Sequence, residues 1–171
     1  MKLLAVGCWL LAAGVAVCGC SSSYAWRSSV PESARTVAVP TFRNESEVVE
    51  IGAIASRQLL REFQREGTFK IRAVGNAAIE VQGVIKSVSP AMIAYNRRQG
   101  GRIAAYDANA VVEVSVIDKR SGKVLVDNRR YVANAAFTAG QDRTTAVRDA
   151  SGRLMDDLAR QVVDDVLNLK W

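Results

Sequence analysis

Apolar residues recur at three- and four-residue spacing in two segments of the chain, and this spacing predicts two amphipathic helices. The first helix is expected over residues 44–65, with acidic residues in its first turn and Gly67 as its C-terminal stop. The second is expected over residues 144–169. Its polar face carries acidic as well as basic residues, which favours a core helix over one lying on a membrane. The two apolar stripes are Val48, Ile51, Ala55, Leu59 and Phe63, and Val147, Ala150, Leu154, Leu158, Val162, Val166 and Leu169.

Elsewhere, apolar and polar residues alternate at every second position, which predicts strands with one buried face. Proline cannot donate a ladder hydrogen bond, so Pro40 is expected at a strand edge or end, and Pro90 is expected to end its strand. A hairpin turn is expected at residues 119–122, and connections at residues 91–102 and 134–141. The expected strands cover residues 36–42, 68–74, 77–88, 103–118 and 123–133.

The order of these elements is strand, helix, several antiparallel strands, helix. Each strand offers one apolar face, and the two helix stripes are available to cover it. The sequence therefore predicts an α+β fold, a two-layer sandwich in which a mostly antiparallel sheet of about four strands carries both helices on one face.

The first twenty residues form a separate pattern, in which Lys2 precedes an apolar run and Gly19-Cys20 follows it. This pattern is typical of a secretory signal, and a cysteine directly after the cleavage point resembles a bacterial lipobox, whose thiol is acylated. Cys18 is an unusual lipobox residue, so an uncleaved anchor and cleavage without lipid remain alternatives. The predicted division is a lipoprotein signal peptide at residues 1–19, a tether at residues 20–34 lipidated at Cys20, and one domain at residues 35–171.

The composition narrows the possible chemistry. The chain has no histidine, which excludes Ser-His-Asp and Cys-His catalysis and disfavours zinc. Cys8 and Cys18 would leave with the signal peptide and Cys20 would carry lipid, so no thiol remains for a disulfide or a nucleophile. We expect no enzyme activity, no cofactor and no metal. The formal charge of +6 suits anionic partners, but export argues against nucleic acid.

Two basic clusters are candidates for binding an anionic ligand. Guanidinium groups suit phosphate through bidentate contacts, and glycines let the backbone approach a ligand closely. The alternative for both clusters is a solvated turn, which often carries charge. The first cluster is Arg97, Arg98 and Arg102 around Gly100-Gly101, and the second is Lys119, Arg120 and Lys123 in the expected hairpin turn.

Several segments, taken in order, resemble the LptE family of lipopolysaccharide-assembly lipoproteins. Ser21-Ser22-Ser23 and Ala77-Ala78 depart from the family pattern, but neither changes the predicted core. The resemblance is carried by residues 36–44 with Phe42-x-Asn44, by residues 50–63 followed by Gly67, by residues 80–85 with Gly83-x-Ile85, by the hairpin 114–125, and by residues 150–163 with Trp171.

The resemblance implies a sheet with two helices on one face and a non-enzymatic outer-membrane lipoprotein. Such a protein sits in the lumen of the barrel LptD, plugs it, assists its assembly and helps deliver lipopolysaccharide to the outer leaflet. The implied partners are LptD, lipopolysaccharide and the membrane holding the lipid on Cys20. The body would face the periplasm or the barrel lumen. The alternative function is a stand-alone lipoprotein that binds anionic glycan or lipid without a barrel.

Two other charged features are more ambiguous. The doublets Asp156-Asp157 and Asp164-Asp165 could serve acid–base chemistry or a cation, but a solvated helix face is favoured. Arg129 and Arg130 are adjacent in an expected strand, so their side chains point to opposite faces. Pairing with Asp127 and contact with a barrel wall are both open for this pair.

Overall fold

The structure is a computed structural model that describes residues 30–96, 102–138 and 143–171. The predicted signal peptide, Cys20 and most of the tether lie outside these residues. A short 3-10 helix, Glu32–Ala34, opens the described chain. The elements that follow are β1 (Thr36–Ala38), β2 (Arg43–Asn44), α1 (Ile51–Glu66), β3 (Lys70–Ile71), β4 (Ile79–Asn96), β5 (Arg102–Asp118), β6 (Val124–Thr138) and α2 (Arg143–Leu167).

All the strands belong to one sheet, in the order β3-β1-β4-β5-β6, with β2 also paired to β4. β1 is parallel to both β3 and β4, and β2 is parallel to β4. β4, β5 and β6 form an antiparallel meander. The α+β class and the two helices are confirmed, but a mostly antiparallel sheet of about four strands is wrong, since the sheet is mixed and six-stranded. The parallel pairs arise because α1 is the crossover that returns the chain from β1 to β3.

The long strands extend beyond their predicted ends. β4 continues through Pro90, which pairs with Ala108, and β6 continues to Thr138, opposite Ala105. The described parts of the predicted connections at residues 91–102 and 134–141 are therefore strand. Within the described chain, no strand pairs with the other edge of β4 beyond Ile85. A proline is tolerated on such an open edge because a ladder hydrogen bond is not required there.

The first helix begins at Ile51, not at Asn44 as the sequence pattern predicts. Asn44 lies in β2, and its side-chain oxygen accepts a hydrogen bond from the Ser46 N–H at 2.9 Å. Its amide also donates to the Val48 carbonyl oxygen at 2.9 Å. These local bonds stabilise a turn in place of a first helical turn. The predicted end is confirmed, because Gly67 adopts φ +84° and donates to the Phe63 carbonyl oxygen at 3.2 Å.

The two predicted helix stripes form the core together with one face of the sheet. Both helices pack against each other and against this face. Val48 and Leu169 pack at the margin, and the side chain of Val147 lies outside the described residues. The fully covered stripe residues are Ile51, Ala55, Leu59 and Phe63 on α1, and Ala150, Leu154, Leu158, Val162 and Val166 on α2.

Phe42 fixes the connection between β1, β2 and α1. Its ring lies against Gly83 of β4, and its carbonyl oxygen lies against Gly52 of α1. Its N–H donates to the Ser56 hydroxyl oxygen at 2.9 Å. That hydroxyl can in turn donate to the carbonyl oxygen of Gly52, 3.0 Å away, or of Pro40, 3.1 Å away. A side chain on either glycine would overlap Phe42, so both positions require glycine.

Replacing Gly83 by alanine is expected to lower the free energy of unfolding by about 1–3 kcal/mol, because the new methyl group would overlap the Phe42 ring. Gly152→Ala is the control: its Cβ would meet nothing within 4 Å, and alanine favours a helix interior. Denaturant titration should show that Phe42→Leu lowers the free energy of unfolding less in the Gly83→Ala variant than in the wild type. Equal effects of the two alanine substitutions would contradict this packing.

Leu158→Ala is expected to cost about 2–5 kcal/mol of unfolding free energy, because the Leu158 side chain is 0% exposed between α2 and the sheet. Arg160→Ala on the outer face should change it by less than about 0.5 kcal/mol, because its ion pairs with Asp156 and Asp157 are solvent-accessible. Thermal or chemical unfolding measures both. Equal losses would mean that α2 packs through a different face.

Candidate functional site

The sheet has two ends with different composition. We call one the tether end, because the described chain enters the domain there, at Val30. Strands β1, β3 and β4 begin at this end, and the β5–β6 turn and the last residues of α2 also lie there. The other is the distal end, where β4 leads into β5. β5 has 17 residues, which places its two ends roughly 50 Å apart at about 3.3 Å per residue.

The structure describes the two predicted basic clusters to different extents. Arg97 and Arg98 lie outside the described residues, and Arg102 is described only by its backbone, as the first residue of β5 opposite Asn96. Arg102 therefore lies at the distal end, and the cluster of Arg97, Arg98 and Arg102 stays a prediction as a site. Lys119, Arg120 and Lys123 follow β5 at the tether end. Arg102 and this turn cannot contact one small ligand together.

The β5–β6 turn is held by its own backbone and by β4. The Gly122 N–H donates to the Asp118 carbonyl oxygen at 2.8 Å, and Gly122 has φ +71°, which favours glycine. The Asp118 N–H donates to the Lys123 carbonyl oxygen at 2.9 Å. The Lys119 N–H donates to the Ala78 carbonyl oxygen at 2.8 Å. These bonds fix the backbone of the turn, from which the three basic side chains extend, relative to the sheet.

Two of those three cations have carboxylate partners. The Arg120 guanidinium contacts Asp118 at 3.3 Å, and Lys119 Nζ lies 3.6 Å from Glu80. Burial raises the pKa of Asp118, but hydrogen bonds from the Arg120 backbone and guanidinium outweigh it, so this pKa lies below its usual value. Lys123 is exposed, with no ion pair among the described residues. The turn therefore presents less free positive charge than its sequence indicates.

The structure adds three basic residues that the sequence analysis missed. Arg35, Lys70 and Arg72 line an open groove of about 660 Å³ at the tether end. The groove's other lining residues are Glu32, Thr36, Gly67 and Thr68. We call Arg35, Lys70 and Arg72 the basic groove.

The basic groove depends on the parallel pairing of β1 with β3, which sets Thr36 opposite Lys70. Antiparallel pairing of these two strands, which the sequence pattern favoured, would not bring Arg35 near Lys70. The available signal was the two-residue spacing of Lys70 and Arg72 around Ile71, which places both cations on one face of an edge strand.

The sheet face that the helices leave uncovered is polar. Gln82 donates to Glu80 at 2.6 Å, and the Asn128 N–H donates to the Ser115 hydroxyl at 3.0 Å. These residues border a shallow cavity of about 400 Å³. Nearby, Lys86 Nζ contacts Glu45 at 2.7 Å, and this hydrogen bond raises the pKa of Lys86. The face thus offers hydrogen-bonding groups together with partly exposed apolar side chains such as Val84 and Val132.

Three of the four carboxylates in the acidic doublets of α2, those of Asp156, Asp157 and Asp165, form ion pairs. Asp156 and Asp157 face Arg160. Asp165 accepts hydrogen bonds from Arg129 and from the Tyr131 hydroxyl, each at 2.8 Å. Arg129 thus pairs with Asp165 rather than with Asp127. Within the three described segments, no group of side chains has the arrangement to hold a metal ion.

The Asp165 contacts also change proton affinities. Burial, followed by the hydrogen bond to Asp165, raises the pKa of Tyr131. Burial opposes ionisation of Asp165, but the hydrogen bonds from Arg129 and Tyr131 outweigh it and lower the pKa of that carboxyl. Tyr131 therefore stays protonated and Asp165 stays ionised at neutral pH. This arrangement ties α2 to β6 and leaves neither group free for acid–base chemistry.

Comparison with known proteins identifies a family. The family model LptE, described as lipopolysaccharide-assembly, matches residues 34–166. No curated protein matches the sequence. No helix in the described part of the chain is both long and apolar enough to span a membrane.

Several solved structures are similar to this chain at low sequence identity. A protein from Xanthomonas campestris is 7% identical, with 78% of this chain and 83% of that chain covered and a TM-score of 0.53. A hypothetical protein from Chlamydia trachomatis is 15% identical, with 78% and 96% covered and a TM-score of 0.51. The rare lipoprotein B from Shewanella oneidensis is 12% identical, with 77% and 92% covered and a TM-score of 0.46.

Proposed function

Because this chain belongs to the LptE family of lipopolysaccharide-assembly proteins, we propose that it is an outer-membrane lipoprotein that plugs the barrel LptD. In this role it assists assembly of the barrel and helps deliver lipopolysaccharide to the outer leaflet. The observation that carries the proposal is the family match over residues 34–166, which spans the whole sheet and nearly all of both helices.

The role we propose is binding and not catalysis. The titratable groups with clear structural partners, such as Asp165 and Asp118, take part in ion pairs that stabilise turns and helix contacts. A plug requires a body that stays folded while polar groups around it contact the barrel wall. The sheet face with Gln82, Glu113 and Ser115 supplies such groups on the side away from the helices.

We place the lipid on Cys20, at the start of the tether. The buried Val30 and the hydrogen bond from Arg35 Nε to the Val30 carbonyl oxygen, 3.2 Å long, fix where the tether joins the domain. The membrane anchor is therefore on the side of the tether end, and the distal end points away from it.

This orientation favours the distal cluster as the lipopolysaccharide site. Arg102 begins a strand that ends at the tether end roughly 50 Å away, so Arg102 is well separated from the proposed lipid anchor. The rival cluster in the β5–β6 turn is partly neutralised by Glu80 and Asp118. We therefore assign Arg97, Arg98 and Arg102 to the ligand and keep Lys119, Arg120 and Lys123 as the competing site.

Depletion of the protein is expected to lower the amount of correctly assembled LptD and to make the outer membrane permeable to bulky apolar drugs. Detergent extraction of the tagged, full-length chain should co-purify a barrel protein in a one-to-one ratio. The Leu158→Ala variant, which weakens the core, serves as a graded control. Normal barrel assembly after full depletion, with no co-purified barrel, would favour the stand-alone glycan- or lipid-binding alternative.

Replacing Arg97, Arg98 and Arg102 together by alanine is expected to weaken binding of purified lipopolysaccharide and to leave the melting temperature nearly unchanged. Binding of the wild type should weaken as salt is added, because screening limits attraction between exposed charges to about 8 Å at physiological ionic strength. Affinity measurements over a salt series test both statements.

Two controls make this experiment decisive. Alanine at Arg57, Arg61 and Arg153, which are exposed on the helices, removes the same charge elsewhere and should leave binding intact. Alanine at Lys119, Arg120 and Lys123 tests the rival site. Loss of binding only in that second variant would move the site to the turn, and unchanged binding in both would overturn the electrostatic account.

A further inference from the structure

The tether end carries more positive charge than either its turn or its groove shows separately. At this end, a row of neighbouring residues crosses the sheet from β3 to β5. The row is connected by the β1–β3 pairing and by the hydrogen bond from Lys119 to Ala78, and its members are Lys70, Thr36, Ala78 and Lys119. The basic groove lies on one side of this row and the β5–β6 turn on the other. The carboxylates at this end are fewer: Glu32 in the groove, Glu66 beside Thr68, and Glu80 and Asp118, which pair with Lys119 and Arg120.

Three cations remain available for a partner. Lys70, Arg72 and Lys123 are exposed and form no ion pair among the described residues. Because they lie on either side of the sheet end, they present positive charge across a broad surface and not in a closed pocket. A broad, open distribution of cations suits an extended anionic surface better than a single small anion.

Exposed apolar side chains occur at the same end. Val74, in the loop that leads from β3 to β4, is 58% exposed, and Val124, at the start of β6, is 49% exposed. Both stand next to the available cations in sequence, since Val74 follows Arg72 by two residues and Val124 follows Lys123. Apolar side chains interspersed with cations are typical of segments that contact the headgroup region of an anionic bilayer.

The position at which the tether joins the domain indicates which partner this surface meets. Arg35 holds the Val30 carbonyl oxygen, so the chain that leads towards Cys20 leaves the domain beside the basic groove. A lipid on Cys20 therefore keeps the tether end next to the bilayer in which that lipid is inserted.

We propose that the tether end, through Lys70, Arg72 and Lys123 with Val74 and Val124, binds the anionic phospholipid surface that holds the lipid anchor. This contact orients the domain with its distal end away from that surface. The proposal rests on lipidation at Cys20, which belongs to the proposed function. Phosphate is the chemistry recognised, and its source is the headgroup layer of the bilayer.

The test uses the full-length, processed chain in phosphatidylcholine vesicles with or without phosphatidylglycerol. Intact mass first establishes the acyl chains on Cys20, so that failure of the anchor is seen separately from failure of the contact. A Ser121→Cys variant carries an environment-sensitive fluorophore at the tether end, and Val49→Cys carries it at an exposed site near the start of α1. A quencher attached to the lipid headgroups reports contact.

The Ser121 probe is expected to be quenched several-fold more strongly in vesicles with phosphatidylglycerol, and this difference should disappear at high salt. The Val49 probe should change little. Charge reversal by Lys70→Glu, Arg72→Glu and Lys123→Glu should abolish the difference. Charge reversal at Arg57, Arg61 and Arg153 changes the net charge by the same amount and should preserve the difference in quenching. Melting temperatures establish that each variant is folded.

Three results would overturn the proposal. Equal quenching of the Ser121 probe in neutral and anionic vesicles, unchanged by charge reversal, would mean that the tether alone sets proximity. Loss of quenching in both reversal variants would mean that net charge and not this surface matters. Displacement by inorganic phosphate at constant ionic strength would mean that the groove binds a free anion and not a lipid surface.

Discussion

The packing of Phe42 between β4 and α1 is the constraint on which the rest of the molecule depends. Its ring occupies the space above Gly83, and its backbone is held by Ser56 and abuts Gly52. This packing sets the point at which the chain leaves the sheet, and therefore where α1 starts and where it delivers the chain to β3. The position of β3 beside β1 in turn creates the basic groove. Phe42 and Gly83, which carry part of the family resemblance, thus have one physical explanation.

Side-chain periodicity was sufficient to predict both helices and their buried faces. Residues such as Leu59 and Leu158 fall on the expected stripes and are fully buried. The direction of the strands was not accessible in the same way, because β1 and β3 have only three and two residues and alternation does not distinguish parallel from antiparallel pairing. Pro90 was misleading for a related reason. The free-energy cost of a proline in β4 depends on whether another strand pairs with the edge of β4 that lacks the N–H, and this is a property of the tertiary structure.

The charged residues show the same limit. The sequence identifies Lys119 and Arg120 as a basic turn, but only the fold brings Glu80 next to one and orients Asp118 towards the other. The fold also brings Arg35 into one groove with Lys70 and Arg72, from which it is far apart in the sequence. The basic turn, whose cations are close together in the sequence, is thus partly neutralised. The basic groove, whose cations come from two separate segments of the chain, forms a cationic surface. The preference for a solvated face on α2 omitted the specific ties to Arg129 and Tyr131, which require the position of β6.

The junction at Val30 also has a consequence for association strength. Residues 20–30 span at most about 35 Å when fully extended, so the lipid that we propose on Cys20 would keep a domain held at Val30 within that distance of the bilayer. Within so small a volume, binding of such a domain to its surroundings becomes an intramolecular event with an effective concentration on the order of millimolar. Contacts that would be too weak to hold a freely diffusing protein are then occupied most of the time. In the proposed lipoprotein, the short segment between Cys20 and Val30 would thereby convert low-affinity, salt-sensitive interactions into a defined orientation.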